Sequence, residues 1–450
     1  MASEVNAGAR PGGSSVGKVA AASFIGTTIE WYDFFLYGTV ATLVFDKLFF
    51  PTISGTAATL AALSTYAAGF VARPIGGIIF GHYGDRVGRK QMLVISILLM
   101  GVASLLIGFL PTYATLGVAA PVLLVVLRVV QGIGVGGEWG GAVLMSTEYA
   151  PRGKRGLYGS FPQMGVPAGL LLSTVVVLIT SNSMSDAAFN SYGWRIPFLF
   201  SFVLVGVGLY IRLSIMESPA FQQVKETKAE ASIPLVETVR RHPKALLTSM
   251  GARIGENALF YIFTVFILEY GTEELGLERG QILPAVVIAA AIGLFTTPFY
   301  GALSDRLGRR PVYLFGAGLS LVFSFVYFGM VDTKSIPLII LATVIGLNVG
   351  HDAMYGPQAA FFAESFSTRT RFTGASIGYQ LAAVFGGGIA PLVAVALLAA
   401  YGSFAVAVYM AAMCLITIVA VYAATETYEA DIEEAVESPG TVPRAGPAVG

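Results

Sequence analysis

"GHYGDRVGRK", residues 81–90, returns as "GALSDRLGRR", residues 301–310, 220 positions later. Gly81, Asp85, Arg86, Gly88 and Arg89 meet identical partners at Gly301, Asp305, Arg306, Gly308 and Arg309. Each copy is short and charged, and each separates two long apolar runs. A looser pair stands further on, "EYAPRGKRG" at 148–156 and "ESFSTRTRF" at 364–372. Loops duplicated at matching places between apolar runs imply a duplicated helical bundle.

The runs flanking these loops bear that reading out along the chain. A helix needs about 20 mostly apolar residues to span a bilayer. Candidate spans lie near 19–45, 57–81, 91–111, 115–147, 158–181 and 195–213, then near 245–271, 281–303, 312–331, 336–363, 373–400 and 403–423. The fold class expected is an all-α membrane protein, with twelve transmembrane helices in two pseudo-symmetric six-helix halves. The divisions are a disordered cytoplasmic tail at 1–17, a first bundle at 18–213, a partly helical linker at 214–244, a second bundle at 245–424 and an acidic cytoplasmic tail at 425–450.

Composition agrees. Charged residues make up 12% of the 450 positions, against about 25% in soluble domains, and 55% are hydrophobic. The 53 glycines suit closely packed membrane helices. A net charge of zero gives no basic face for nucleic acid. The single cysteine, Cys414, has no intrachain partner and reads as a small packing residue. Lys and Arg gather on one side of the spans: seventeen on the loops and linker that are cytoplasmic if both termini are, counting Arg212 at the linker's edge, against four on the other side. That asymmetry sets the expected orientation in the cell membrane.

The loop motif resembles the signature loop of the major facilitator superfamily. "EWYDFFLYG", "FVARPIGGIIFGHYGDRVGRK", "RVVQGIGVGGEWGG" and "WRIPFLFS" resemble the metabolite:proton symporter family within it. "ARIGENALFYI" at 252–262 and "LNVGHDAMYGPQAAFFAE" at 347–364 are most similar to the shikimate permease branch. The resemblance implies a secondary transporter carrying organic acids such as shikimate, 2-oxoglutarate or citrate, or zwitterions such as proline and betaine. It implies no cofactor.

Charges inside spans are costly, about 3 kcal/mol each at mid-bilayer on insertion scales, so they are placed against partners or cavities. At about 100° per residue, Gly26, Glu30, Asp33 and Tyr37 share a face of the first helix. They read as an interfacial collar or, by preference, as lining of the central cavity. Arg128, Gln131 and Glu138 share a face of the fourth helix beside a stripe of Gly132, Gly136 and Gly140. Arg128 resembles the superfamily's helix-4 arginine, and a salt bridge to Glu138 or to an acid of the first helix is its other reading. Arg73, before Pro74, is a brace or a functional group.

In the second half, Arg253 stands with Glu256 and Asn257 at i+3 and i+4. The group reads as a self-neutralising pair or as an anion site, with Arg253 the planar fork for a carboxylate. Asn348, His351, Asp352 and Tyr355 share a face, before Pro357, which should kink the helix. The proton-coupling set is therefore Glu30, Asp33, Glu138, His351 and Asp352. The substrate set is Arg128, Gln131, Arg253, Glu256, Asn257, Tyr355 and Tyr37. The gating set is Gly81, Asp85, Arg86, Gly88, Arg89, Asp305, Arg306 and Arg309, whose ion pairs form in one state and break in another. His82 and His242 read as solvated loop residues.

The expected function is proton-coupled uptake of a small organic acid by alternating access, in a lipid bilayer, by a monomer. The alternative is a proline or glycine betaine osmoprotectant symporter. No Ser–His–Asp set, metal-ligand cluster or phosphate-binding loop occurs at usable spacing, so an enzyme is not expected. A channel leaves the repeated loops unexplained.

Overall fold

The computed structural model describes residues 15–51, 56–226 and 234–429. The expectations for the N-terminal tail, and for most of the C-terminal one, fall outside the described residues. Twelve long helices follow in order: α1 (Val16–Val40), α2 (Thr56–Gly84), α3 (Arg89–Phe109), α4 (Ala119–Tyr149), α5 (Arg155–Asn182), α6 (Arg195–Leu213), α7 (Pro243–Glu274), α8 (Arg279–Leu307), α9 (Arg309–Val331), α10 (Ile336–Glu364), α11 (Arg371–Tyr401) and α12 (Ser403–Ala423). Among the described residues, ten are long and apolar enough to cross a membrane by length and composition. The two outside that set, α1 and α2, carry Glu30, Asp33 and Arg73.

Both halves pack by one scheme. The first helix of each lies on the fifth, the second on the fourth and the third on the sixth, while α2 crosses α11 and α5 crosses α8 between halves. The loop repeat accounts for those crossings. Gly88 and Gly308 hold φ of 138° and 97°, a region that side chains with a Cβ rarely adopt. A Cβ on Gly81 would stand 2.8 Å from Thr373 Cα, and one on Gly301 would stand 2.5 Å from the Gly156 carbonyl. Glycine at these places lets the backbones of the two halves meet.

Asp85 then caps the other half. Its carboxylate accepts from the backbone N–H of Phe372 at 3.2 Å and of Thr373 at 2.9 Å, and from the Thr373 hydroxyl at 2.8 Å. Asp305 does the same to α5, accepting from Gly156 N–H at 2.8 Å and Leu157 N–H at 2.9 Å. The first N–H groups of a helix have no partner inside it and carry its positive end, so a carboxylate suits them. The looser repeat supplies matching acids. Glu148 holds Arg89 at 3.1 Å and Arg371 at 3.0 Å, and Glu364 holds Arg309 at 2.9 Å. Arg309 also reaches Asp305 at 2.8 Å.

Several expectations need correction. Arg86 and Arg306 are exposed and stand apart from this network; Arg86 meets His82 at 3.3 Å. Arg212 is not a linker charge but is buried in α6, and Arg89, Arg155, Arg309 and Arg371 are buried too. Neither histidine is fully solvated: His82 sits in the last turn of α2, and His242 packs against Phe366 with ring centroids 6.2 Å apart. The linker does contain helices, Pro219–Glu226 and Pro234–Arg241. Beyond α6 and α12, Glu217 and Glu426 cap the third helix of each half, Glu217 at Lys90 N–H (3.0 Å) and Glu426 at Arg309 and Arg310 N–H (2.9 Å each).

Candidate functional site

Each half holds a buried polar network, and the geometry of the two differs. In the second half, a widened π-helical turn at Ile345–His351 precedes Asp352 within α10, with Pro357 accommodated inside the helix that follows. Such turns recur at functional sites because they re-aim side chains. His351 is held at both ring nitrogens, Nδ1 to Asp352 at 2.9 Å and Nε2 to Glu256 at 2.8 Å. Glu256 also accepts from Arg253 at 2.6 Å and from Gln358 at 3.1 Å. Asp352 accepts from Asn348 at 3.0 Å and from Thr296. The result is a continuous chain Arg253–Glu256–His351–Asp352, every member buried.

Arg253 is heavily engaged by protein. Its Nη1 donates to Glu256 and, at 2.8 Å, to Gln358; its Nη2 donates to Asn257 at 3.4 Å. The guanidinium lies 3.3 Å above the Tyr379 ring, which stacks at 3.7 Å on Trp139 of α4. One stack therefore joins the halves. Tyr355 is buried beside His351, with ring centroids 5.1 Å apart. The far end of the chain opens on a pocket lined by Val166, Pro167 and Leu170 of α5 and by Phe260, Gly293, His351, Asp352 and Tyr355. The histidine and the aspartate thus reach a space shared by both halves.

The first-half acids are arranged otherwise. Glu30, Asp33 and Glu138 line a small pocket with Ser96, Met100 and Val205, all from α1, α3, α4 and α6. The expectation that Glu30 and Asp33 face the central cavity is corrected: the polar stripe of α1 turns into its own bundle. Asp33 accepts from Ser201 of α6, and Glu138 pairs with Arg212 and accepts from Ser96 at 3.3 Å. A single helix shows which residues share a face; it does not show whether that face meets a cavity or a neighbour. Arg212 was missed because it lies one residue from the end of its span, where the sequence suggests water.

Arg128 donates to Gln131 at 3.1 Å, and Gln131 donates to Ser104 at 2.7 Å. The Arg128 guanidinium lies 4.4 Å from the Phe34 ring centroid and 4.3 Å from that of Tyr37, whose hydroxyl donates to Thr65 at 2.5 Å. The Arg73 guanidinium also lies against Phe34, at 4.2 Å. Two guanidinium groups therefore meet one ring, which brings two positive charges to this part of the seam.

Comparison with known proteins places this architecture. The chain matches the Major Facilitator Superfamily over residues 23–378 and again over 258–446. The chain belongs to that superfamily. It is 44% identical over 404 residues to the shikimate transporter of Escherichia coli K12, covering 89% of this chain and 92% of that one. It is 42% identical to an inner membrane metabolite transport protein of the same organism over 92% of this chain and 95% of the relative. The proline/betaine transporter of Escherichia coli K12 is 34% identical over 82% of this chain and 75% of the relative. Among solved structures, the proton:xylose symporter XylE bound to 6-bromo-6-deoxy-D-glucose superposes with a TM-score of 0.69 at 20% identity, covering 90% of this chain and 94% of that one. That last likeness is one of fold. This member of the superfamily is a multi-pass membrane transporter, not an enzyme, and it acts on a small molecule.

Proposed function

We propose that this transporter couples uptake of a small organic acid of the shikimate type to proton entry, with its repeated loops and both termini on the cytoplasmic side. The observation carrying the coupling is the buried chain Arg253–Glu256–His351–Asp352, which ends in a pocket between the halves. Histidine is the side chain whose ordinary titration lies nearest neutrality, and here it bridges two carboxylates. The substrate class rests on the similarity to the shikimate transporter and on the cationic seam formed by Arg73, Arg128 and Arg253.

In this reading the structure is closed at its loop-bearing end. Asp85 capping α11, Asp305 capping α5 and the Glu148 and Glu364 pairs hold that end together, and releasing them opens it. Glu30, Asp33 and Glu138 form a second proton-accepting group inside the first bundle. Proline or betaine transport is the other reading, favoured by the relative of that name. The deciding experiment is uptake of labelled shikimate, 2-oxoglutarate, citrate, proline and betaine into proteoliposomes with an inward proton gradient. Accumulation of shikimate above equilibrium, lost when an ionophore collapses the gradient, is the expected result. Accumulation of proline or betaine alone overturns the assignment.

A further inference from the structure

Of the three seam arginines, Arg73 is the one held, among the described residues, by rings rather than by hydrogen bonds. It is 1% exposed, on α2, one turn beyond Phe70. Aromatic rings surround it: its guanidinium carbon lies 4.2 Å from the Phe34 centroid, 4.4 Å from Phe70 and 5.2 Å from Trp31. Its Nε and Nη2 have no hydrogen-bond partner among the described residues. Those two nitrogens form one edge of the planar group, and their N–H bonds run parallel, the arrangement that receives both oxygens of a carboxylate. The rings thus cover the group while that edge keeps its donors unsatisfied. Buried donors in native proteins are almost always satisfied, so a pair left unpartnered on one edge points to a ligand.

The position is also right. Phe70 meets Tyr261 of α7 edge-on, with centroids 5.4 Å apart, and packs against Gly387 and Gly388 of α11. Arg73 therefore lies along the seam between halves, within electrostatic range of the Tyr261 hydroxyl, as are Arg128 and Arg253. That hydroxyl is buried and has no hydrogen-bond partner among the described residues. Arg253 is the contrasting case, since both its terminal nitrogens already serve protein acceptors.

We propose that the open edge of Arg73, together with the hydroxyl of Tyr261, anchors the carboxylate of the transported molecule. The ring cage selects a small body carrying that carboxylate, such as a cyclohexene or pyrrolidine ring, that can lie against Phe34, Phe70 and Trp31. Glu30 lies within electrostatic reach of Arg73, but its Oε2 has no hydrogen-bond partner among the described residues, so that oxygen does not occupy the open edge. This deepens the organic-acid reading and rests on it for the identity of the substrate. It does not depend on which carboxylate is carried, because the zwitterionic alternatives bear one too.

The test is calorimetric titration of the full chain in lipid nanodiscs with shikimate and with its methyl ester, which keeps the ring and removes the charge. The wild type is expected to prefer the acid by about tenfold or more, and Arg73→Gln to bind acid and ester within about twofold of each other. Arg73→Lys retains charge but not the fork and is expected to lose about tenfold in affinity for the acid. An undiminished preference in Arg73→Gln overturns the proposal. If that variant fails to elute as a folded monodisperse species, Tyr261→Phe decides: weaker binding of the acid with unchanged binding of the ester supports the anchor, and unchanged binding of both overturns it. Should the wild type bind neither shikimate compound but bind proline or betaine, the substrate assignment fails while the anchor is tested with that ligand. A loss of about tenfold in Arg73→Lys then sustains it, and wild-type affinity ends it.

Discussion

His351 has a carboxylate on each ring nitrogen, Asp352 at 2.9 Å and Glu256 at 2.8 Å. An imidazolium donates to both, whereas a neutral imidazole donates to one and must turn a lone pair toward the other. Gain or loss of one proton therefore changes which neighbour is held, a two-way device at the edge of a pocket between halves. Glutamine at this position cannot titrate. His351→Gln is expected to abolish gradient-driven accumulation while retaining substrate counterflow, both measured in proteoliposomes. Accumulation at the wild-type level removes His351 from the coupling path. At this scale the sequence was informative where one helix carried the whole group: the spacing of Asn348, His351, Asp352 and Tyr355 on one face was readable. What each atom bonds was not, because Gln358 and Thr296, which complete the chain, carry no distinguishing pattern.

Among elements, α6 contributes a cation on which the first bundle depends. Arg212 pairs with Glu138 of α4, and its guanidinium fills the space beside Gly26 of α1, so one side chain ties three helices. Removing one partner of a buried pair strands the other's charge, at a cost of about 3–5 kcal/mol, while replacing both with apolar groups is often neutral. Arg212→Ala should accordingly lower the thermal unfolding midpoint in detergent sharply, and Arg212→Met with Glu138→Met should restore most of the loss. Equal midpoints for the single and double variants would show that the pair is not coupled. This cation also revises the balance away from the loop network: among the described residues, Arg212 joins Arg73, Arg128 and Arg253 against the acids Glu30, Asp33, Glu138, Glu256 and Asp352. In the sequence Arg212 falls at the linker's edge, because hydropathy places a cation near a span's end in water and cannot see α4 beside it.

For the whole molecule, the duplicated loop was legible because it needs particular backbone geometry, and only certain residues supply it: Gly88 and Gly308 for a positive φ, Asp85 and Asp305 for a helix N-terminus across the seam. Their partners Glu148 and Glu364 sit in the last turns of α4 and α10, leading into segments too degenerate to assign before the contacts were seen. Asp85 gives this latch a pH dependence whose sign follows from its surroundings. Burial pushes its carboxyl up to about 6, a rise only partly offset by Arg89 and by the Thr373 and Phe372 donors. In an opened latch the group returns to water and to its ordinary range near 3.9. The closed form thus binds a proton at pH values where the open form does not. The closed form gains as pH falls through about 6, and that gain is lost as pH rises past it. Between about pH 7 and pH 5 the closed-to-open ratio should rise by roughly tenfold. Asp85→Asn, which cannot titrate, should flatten that dependence and slow transport while leaving substrate affinity within a few-fold. Spin labels on the loop-bearing ends of α2 and α11 would report the ratio directly. A pH response in Asp85→Asn equal to that of the wild type would assign the titration to another group.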